Sequence, residues 1–263
     1  MTITVHPEKR SPSAEAVLRK VVVLGATSGI AMEVERQLAQ LGCELLLVAR
    51  SAERLAILQS DLLARGAKQV LTCAADLAVI GQHAWIFDFI RRSFSDYDTV
   101  LLSYGAMHDQ KESEVSVDVL LEEININYVS AAAILTLFAS DLERRRSGCI
   151  AAITSVAGDR GRRSNYTYGS AKGALSLFLQ GLRSRLHPAG VKVITIKPGP
   201  AQTPMTDHLA NASRFAEPEA VAQDIVEALQ ERSPDVLYTP KLWRYVMTAV
   251  THVPERIFKR LSF

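Results

Sequence analysis

The sequence predicts an α/β protein, in which one domain is built on a doubly wound parallel sheet of about seven strands with helices on both faces. Short runs rich in valine, leucine and isoleucine recur along the chain and are apolar on both faces, as the buried strands of a parallel sheet are. Between these runs lie segments with apolar residues three and four positions apart, which indicates amphipathic helices. No linker-like stretch interrupts the alternation, so we expect a single domain.

This alternation gives the positions of the strands and helices along the chain. Strands are predicted at 20–24, 44–48, 69–74, 99–103, 149–154, 191–196 and 235–239. Helices are predicted at 30–41, 53–65, 82–94, 117–145, 166–186 and 218–232. Residues 1–19 are polar and contain Pro7 and Pro12, so we expect a flexible arm that is neither a signal peptide nor a membrane helix. Residues 20–240 would form the domain, and 241–263 a basic amphipathic extension.

Composition excludes several classes of function. The net charge of +2 is too small to suggest nucleic acid as a partner, and 48% hydrophobic residues are ordinary for a globular protein. No run of about eighteen apolar residues occurs, so no bilayer-spanning helix is expected. The histidines are isolated, which predicts no metal site. The cysteines have unrelated spacings and are expected to be reduced thiols of a cytoplasmic protein: Cys43, Cys73 and Cys149.

The first predicted strand runs into the small-residue turn GATSGIA at 25–31, and a helix follows. Backbone N–H groups of such a turn can approach a pyrophosphate, and the helix N-terminus adds the positive end of its dipole. The two glycines are separated by three residues, a wider spacing than in the G-x-G-x-x-G fingerprint. We therefore expect a dinucleotide on a Rossmann-type sheet, with contacts from Gly25, Thr27, Ser28, Gly29 and Ile30.

The ends of the second and third strands bear on the adenosine half of that dinucleotide. The second strand ends Val48-Ala49-Arg50-Ser51 without a carboxylate, and an arginine there favours the 2′-phosphate of NADP(H) over NAD(H). Alternatively, Arg50 stacks on the adenine or faces solvent, and NAD(H) stays an option. Asp76 and Leu77 are placed to flank the adenine ring, although Asp76 could instead cap a helix.

The stretch SNYTYGSAKG at 164–173 carries the candidate acid–base group. Tyr168 and Lys172 are four residues apart and share one helical face, whereas Tyr166 lacks such a lysine. A nearby ammonium favours the phenolate and makes the phenol usable as an acid or base near neutral pH. Ser155, thirteen residues before Tyr168, ends the fifth strand, where its hydroxyl can donate to a carbonyl oxygen.

In this order and spacing, the chain resembles the classical short-chain dehydrogenase/reductase family from residue 20 to about 240. The resemblance rests on GATSGIA at 25–31, Asn127, Ser155, YGSAK at 168–172 and PGPAQTP at 198–204. Three departures mark a divergent branch. Leu24 stands where the family has threonine, Ala31 replaces the last glycine, and Ser-Tyr-Gly-Ala at 103–106 replaces the usual Asn-Ala-Gly.

The resemblance implies a role for each matching residue. Tyr168 would donate the proton in ketone reduction, Lys172 would bind the nicotinamide ribose and lower the phenol pKa, and Ser155 would orient the carbonyl. Asn127 would hold a water that links Lys172 to solvent, with Asn125 as the neighbouring candidate. Pro198 and Gly199 would shape the nicotinamide pocket, Thr203 would bond the carboxamide, and Gly105 would also contact the cofactor. Tyr166 would be a pocket wall without an acid–base role. A homodimer or homotetramer through 117–145 and 166–186 is also implied.

The C-terminal stretch 242–263 is basic and amphipathic, and Pro254 divides it into two short helices. Such a segment can lie in a membrane interface, or it can pack on the substrate pocket or on a subunit partner. Together with the glycine turn and YGAMHDQ at 104–110, it resembles the branch of decaprenylphosphoryl-2-keto-erythropentose reductases. That resemblance implies a lipid-linked keto-sugar as substrate and peripheral contact with the inner face of the membrane.

The function expected from the sequence is an NAD(P)(H)-dependent oxidoreductase that reduces a ketone or oxidises a secondary alcohol, with NADP(H) favoured. Its carbonyl substrate would be lipid-linked or, alternatively, small and soluble. A non-catalytic dinucleotide sensor is the alternative from another class. A sensor has no need of Ser155, Tyr168 and Lys172 together, so their joint presence argues against it.

Overall fold

The computed structural model describes residues 18–207 and 212–261. All seven strands lie parallel in one sheet of order β3-β2-β1-β4-β5-β6-β7, which confirms the predicted fold class. Their bounds are β1 Lys20–Leu24, β2 Glu44–Ala49, β3 Gln69–Ala74, β4 Thr99–Leu102, β5 Cys149–Ile153, β6 Lys192–Pro198 and β7 Val236–Thr239. Most of the predicted arm, residues 1–17, lies outside the described residues.

Helices connect and cover these strands. They are α1 Gly29–Gln40, α2 Ala52–Ala64, α3 His83–Ser93, α4 Gln110–Val115, α5 Val117–Ile124, α6 Ser130–Arg145, α7 Tyr166–Leu186, α8 Pro218–Glu231, α9 Leu242–His252 and α10 Glu255–Phe258. Short 3-10 turns lie at Ile80–Gln82, Val156–Asp159, His187–Ala189 and Ala212–Arg214. The sequence prediction missed α4, which begins where the Asp109 carboxylate accepts the Lys111 N–H at 2.9 Å.

The core is divided between the two faces of the sheet. In β1, Val21 and Val23 join one apolar cluster with α1, α2 and α8. Val22 and Leu24 join the opposite cluster with α3, α6 and α7. Successive strand residues point to opposite faces, so an entirely apolar strand requires helices on both sides.

The predicted helix 117–145 is interrupted in its middle. A π-helical turn, Asn125–Val129, separates α5 from α6. The extra residue in this turn accompanies the burial of the Asn127 side chain, whose amide is bonded to backbone groups of Ala106 and Glu123. By length and hydropathy alone, Val117–Arg145 could cross a membrane, but core helices of soluble proteins pass the same test.

Candidate active site

The predicted site residues converge on one cleft at the carboxyl end of the sheet. There β1 is flanked by β2 and β4, so the chain connections leave in opposite directions and open a crevice. The cleft has a volume of about 640 Å³. It is lined by Gly25, Thr27, Ser28, Gly29, Ile30, Arg50, Asp76, Leu77, Gly105, Ser155, Tyr168, Lys172, Pro198, Gly199 and Thr203.

The glycine turn is shaped by close backbone packing. Gly25 adopts a φ of +92°, and a β-carbon there would lie 2.6 Å from the Cβ of Tyr104. Its N–H donates to the Val48 carbonyl at 2.9 Å, which ties the turn to β2. Ser28 caps α1 and its hydroxyl lies 2.8 Å from that of Ser103. Ser103 and Tyr104, which depart from the family pattern, therefore contact the turn directly, through a hydrogen bond to Ser28 and close packing on Gly25.

The residues around this turn fit a dinucleotide. The N-terminus of α1 opens into the cleft, where its free N–H groups favour a phosphate. A β-carbon on Gly29 would approach the Thr203 methyl to 3.0 Å, so only a residue without a side chain leaves the space between α1 and the loop after β6 open. Thr203 thus faces the phosphate turn across the cleft.

At the adenosine end the structure adds one residue that sequence reasoning missed. Arg54, on the first turn of α2, lines the cleft together with the exposed Arg50, and its guanidinium donates to the Thr27 carbonyl at 3.1 Å. The signal available in the sequence was Ser51, which caps α2 and thereby places Arg54 beside the cleft. Two arginines, rather than one, therefore line this end of the cleft.

Asp76 and Leu77 also lie at this end. The Asp76 carboxylate accepts the Ala78 N–H at 3.0 Å and so closes a turn within its own loop. The alternative that Asp76 caps a helix is wrong, because the following 3-10 helix begins after Val79. Leu77 is buried, and its carbonyl accepts the Ser130 hydroxyl.

The candidate catalytic side chains come from one β-loop-α unit. Ser155 follows β5, and its hydroxyl oxygen accepts the Ala157 N–H at 3.1 Å, which leaves its own proton free to donate. Tyr168 and Lys172 lie on the first turns of α7, with the Lys172 Nζ 5.8 Å from the centre of the phenol ring. The Nζ also donates to the Ile153 carbonyl at 3.2 Å.

Asn127 and Lys172 meet beside Gly105. A β-carbon on Gly105 would lie 2.6 Å from Asn127 Oδ1 and 3.1 Å from Lys172 Nζ, so the glycine admits both groups. Asn127 is fully buried, whereas the Asn125 amide turns away to the Ala78 carbonyl. The geometry therefore supports Asn127 over Asn125 as the polar neighbour of Lys172.

Burial affects the pKa values of Tyr168 and Lys172 more than neighbouring charges do. It raises the pKa of Tyr168 to about 12, with interaction with Ser155 acting in the opposite direction and Glu123 adding to the rise. Burial also lowers the pKa of Lys172 to about 8. The resemblance implied that Lys172 lowers the phenol pKa; in the protein alone burial dominates, and the phenol stays protonated near neutral pH.

Glu123 is a second residue that sequence reasoning missed. It is 1% exposed, and its carboxylate accepts the His108 N–H at 3.2 Å. Burial raises the pKa of this carboxyl group. Glu123 lies one helical turn before Asn127 on the same face, which is the only signal the sequence held for it. It is a buried acid close enough to affect Tyr168 electrostatically.

The expectation that Tyr166 forms a pocket wall is wrong, because Tyr166 is not among the residues that line the cleft. It is the first residue of α7 and is 44% exposed. Lining residues on this side come instead from the loop between Ser155 and α7, namely Arg162 and Asn165.

The C-terminal helices pack on the domain next to the site. The Met247 side chain of α9 and the Phe258 side chain of α10 are buried. Arg160, in the loop after Ser155, donates to the Val250 carbonyl at 2.7 Å and to the Glu255 carboxylate at 3.0 Å, and stacks 3.8 Å from the Phe258 ring. The sequence left three sites open for this segment: a membrane interface, the substrate pocket or a subunit partner. Packing beside the pocket accounts for these buried contacts.

Known proteins agree with this architecture. A sequence model described as short chain dehydrogenase matches residues 19–214. An uncharacterized oxidoreductase of Mycobacterium tuberculosis is 31% identical over 241 residues, which cover 92% of this chain and 96% of the relative. Another, from Streptomyces coelicolor, is 32% identical over 244 residues with the same coverages.

Among solved structures, a short chain dehydrogenase from Burkholderia cenocepacia in complex with NADP superposes with a TM-score of 0.79. It is 20% identical and the match covers 94% of this chain and 99% of that one, which supports the fold. The family match spans most of the chain and includes the glycine turn, Ser155, Tyr168 and Lys172. The chain therefore belongs to the short-chain dehydrogenase family of oxidoreductases.

Proposed function

We propose that this protein is an NADP(H)-dependent carbonyl reductase that interconverts a ketone and a secondary alcohol. The observation that carries the proposal is the meeting of Ser155, Tyr168 and Lys172 in the same cleft as the glycine turn. The glycine turn and the N-terminus of α1 would hold the phosphates of a dinucleotide, with the phenol of Tyr168 on one side of them in the cleft and the two arginines on the other. When bound, the cofactor supplies the hydride that reduces the carbonyl carbon.

The side chains of the protein do the proton chemistry. The Ser155 hydroxyl donates a hydrogen bond to the carbonyl oxygen and holds it beside the phenol. Tyr168, protonated because burial raises its pKa, gives its proton to that oxygen as the alcohol forms. The Lys172 ammonium then stabilises the phenolate and returns a proton to it. Asn127 holds the loop that carries Gly105 beside Lys172.

The preference for NADP(H) over NAD(H) is part of the proposal. Arg50 and Arg54 both line the adenosine end of the cleft, and the acidic residue there, Asp76, is engaged with the Ala78 N–H. Two guanidinium groups suit a 2′-phosphate, since arginine binds phosphate through several N–H donors at once.

The test is reduction of a panel of ketones with NADPH by the wild type, Tyr168→Phe and Ser155→Ala. We expect Tyr168→Phe to lose at least a hundred-fold in kcat, because general acid catalysis contributes about that much. The thermal shift on binding NADPH should persist, which separates chemistry from binding. Full turnover by Tyr168→Phe would exclude this mechanism, and NADPH binding with no turnover of any carbonyl by the wild type would favour the sensor.

For the same chemistry, a narrower proposal is that the substrate is linked to a lipid and is reached at a membrane. It is supported by apolar side chains that the packed tail leaves exposed, Leu242 at 68%, Tyr245 at 73% and Ile257 at 54%, beside the exposed Arg256 and Lys259. Flotation with anionic liposomes should be lost when Leu242, Tyr245 and Ile257 are changed to serine. If the wild type does not float, a soluble ketone is the better candidate.

A further inference from the structure

Arg162 is a cation in the cleft without a strong acceptor. It lies in the loop between Ser155 and Tyr168 and lines the cleft with both. Within the described residues, its guanidinium has one recorded hydrogen bond, from Nη2 to the Met247 thioether at 3.6 Å. A thioether is a weak acceptor, and an arginine carries five N–H donors. The group is therefore held in place by α9 while most of its donors are left for another partner.

The surrounding charges leave Arg162 unbalanced. The carboxylate that acts on it is Asp159, which opposes the lowering of the Arg162 pKa by burial. Asp159, however, forms an ion pair with the buried Lys197 and also accepts the Tyr238 hydroxyl at 2.9 Å. One carboxylate thus faces two cations, and a net positive charge stays beside the substrate half of the cleft.

The acidic side chains that line the cleft do not compensate this charge. Asp76 lies at the adenosine end, bonded to the Ala78 N–H. Glu122, on α5, is 59% exposed at its side chain and lies 3.9 Å from His108. In the part of the chain that the structure describes, neither carboxylate is recorded as a partner of Arg162.

Asn165, three residues after Arg162, adds a second unpaired polar group. Its side-chain oxygen is buried and has no hydrogen-bond partner among the described residues. The residue lines the cleft immediately before the helix that carries Tyr168. A buried amide oxygen without a donor is unfavourable, and a hydrogen bond from a ligand hydroxyl would satisfy it.

We propose that Arg162 binds an oxyanion of the substrate, a phosphate or a carboxylate, and that Asn165 accepts a hydrogen bond from a neighbouring substrate hydroxyl. The substrate class is then an anionic hydroxy-ketone. This proposal rests on the proposed carbonyl reduction and adds no chemical step to it. Hydride from the cofactor goes to the carbonyl carbon and the Tyr168 proton goes to the oxygen, while the oxyanion is unchanged.

Binding is tested first, on the full chain saturated with NADP⁺ so that the phosphate turn is already filled. The probe is inorganic phosphate at constant ionic strength, read as a thermal shift in wild type, Arg162→Met, Arg162→Lys and the exposed neighbour variant Arg163→Met. We expect the phosphate Kd to weaken at least ten-fold in Arg162→Met alone, with partial retention in Arg162→Lys. An equal Kd in wild type and Arg162→Met overturns the proposal.

A parallel titration with dimethyl phosphate distinguishes the two sources of the oxyanion. Binding of this diester through Arg162 indicates a phosphodiester such as a lipid-linked sugar carries, and binding of inorganic phosphate only indicates a free monoester. Failure of NADP⁺ itself to raise the melting temperature would count against the proposed function and not against Arg162.

Turnover is tested with a matched pair of hydroxy-ketones, dihydroxyacetone phosphate and dihydroxyacetone. The wild type should prefer the phosphate ester by at least ten-fold in kcat/KM, and Arg162→Met should remove that preference by lowering kcat/KM at least ten-fold more on the phosphate ester than on the neutral ketone. Asn165→Leu should slow both ketones alike, since both carry the hydroxyl. Equal losses on the two ketones in Arg162→Met would show a structural role and overturn the assignment.

Discussion

Trp243 packs its indole ring so closely on Gly199 that a β-carbon there would lie 1.9 Å from the indole Nε1. Gly199 directly follows the strand β6 and lines the cleft, and Trp243 belongs to the C-terminal helix α9. The tail is therefore part of the wall behind the site. Removing it at residue 240 would uncover this surface, so point variants are the sharper probes of tail function.

Gly199→Ala is expected to destabilise the protein by about 1–3 kcal/mol, because the added methyl group cannot share the space of the indole. The free energy of unfolding is measured by urea titration. The double variant Gly199→Ala/Trp243→Leu should recover part of the loss, since a smaller side chain frees that space. Gly81→Ala is the matched control, because a β-carbon at Gly81 meets nothing within 4 Å. Equal effects at the two glycines would contradict this account.

Arg160→Ala is expected to release the tail from the domain. Its side chain is 13% exposed and joins the last carbonyls of α9 to Glu255 and the Phe258 ring, so its loss leaves those acceptors unpaired. Hydrogen exchange of the amides in 242–258 should accelerate at least ten-fold. The exposed Arg163→Ala serves as control, and unchanged exchange in Arg160→Ala would mean that the apolar contacts suffice.

Glu123→Gln is expected to shift the pH profile of alcohol oxidation. In this direction Tyr168 must accept a proton, so the rate rises with pH through the phenol pKa. The Glu123 charge raises that pKa, and removing it should move the rising limb to lower pH. The pH dependence of kcat/KM with a secondary alcohol measures this. Glu122→Gln is the control, and a profile that moves to higher pH or stays in place would refute the coupling.

Changing both Arg50 and Arg54 to glutamine is expected to raise KM for NADPH at least ten-fold while KM for NADH changes little. The 2′-phosphate distinguishes the two cofactors, and only NADPH loses charge-assisted hydrogen bonds. Initial rates with each cofactor give the comparison. Arg65→Gln, at the far end of α2 and paired with Asp61, is the control. Parallel losses with both cofactors would place the arginines on the adenine or the shared phosphates instead.

The alternation of strands and helices and the core of the site follow from local patterns. A strand that is apolar on both faces requires helices on both sides of the sheet. Val21 and Val22, which are neighbours in β1, accordingly belong to two different apolar clusters. Ser155, Tyr168 and Lys172 belong to one strand, loop and helix, so their spacing along the chain already brings them together. The glycine turn is equally local, since it joins β1 to α1.

The tertiary structure alone decided which distant residues join this core. Arg54, Glu123 and Arg162 carry no motif. Arg54 and Arg162 line the cleft and Glu123 lies buried near Tyr168, because the helix or loop that holds each packs against another part of the chain. Tyr166 shows the converse, because its position two residues before Tyr168 turns it towards solvent. The docking of Trp243 on Gly199 likewise joins residues 44 positions apart. A periodic pattern encodes which face of an element is buried, whereas the partner of that face depends on how all elements pack together.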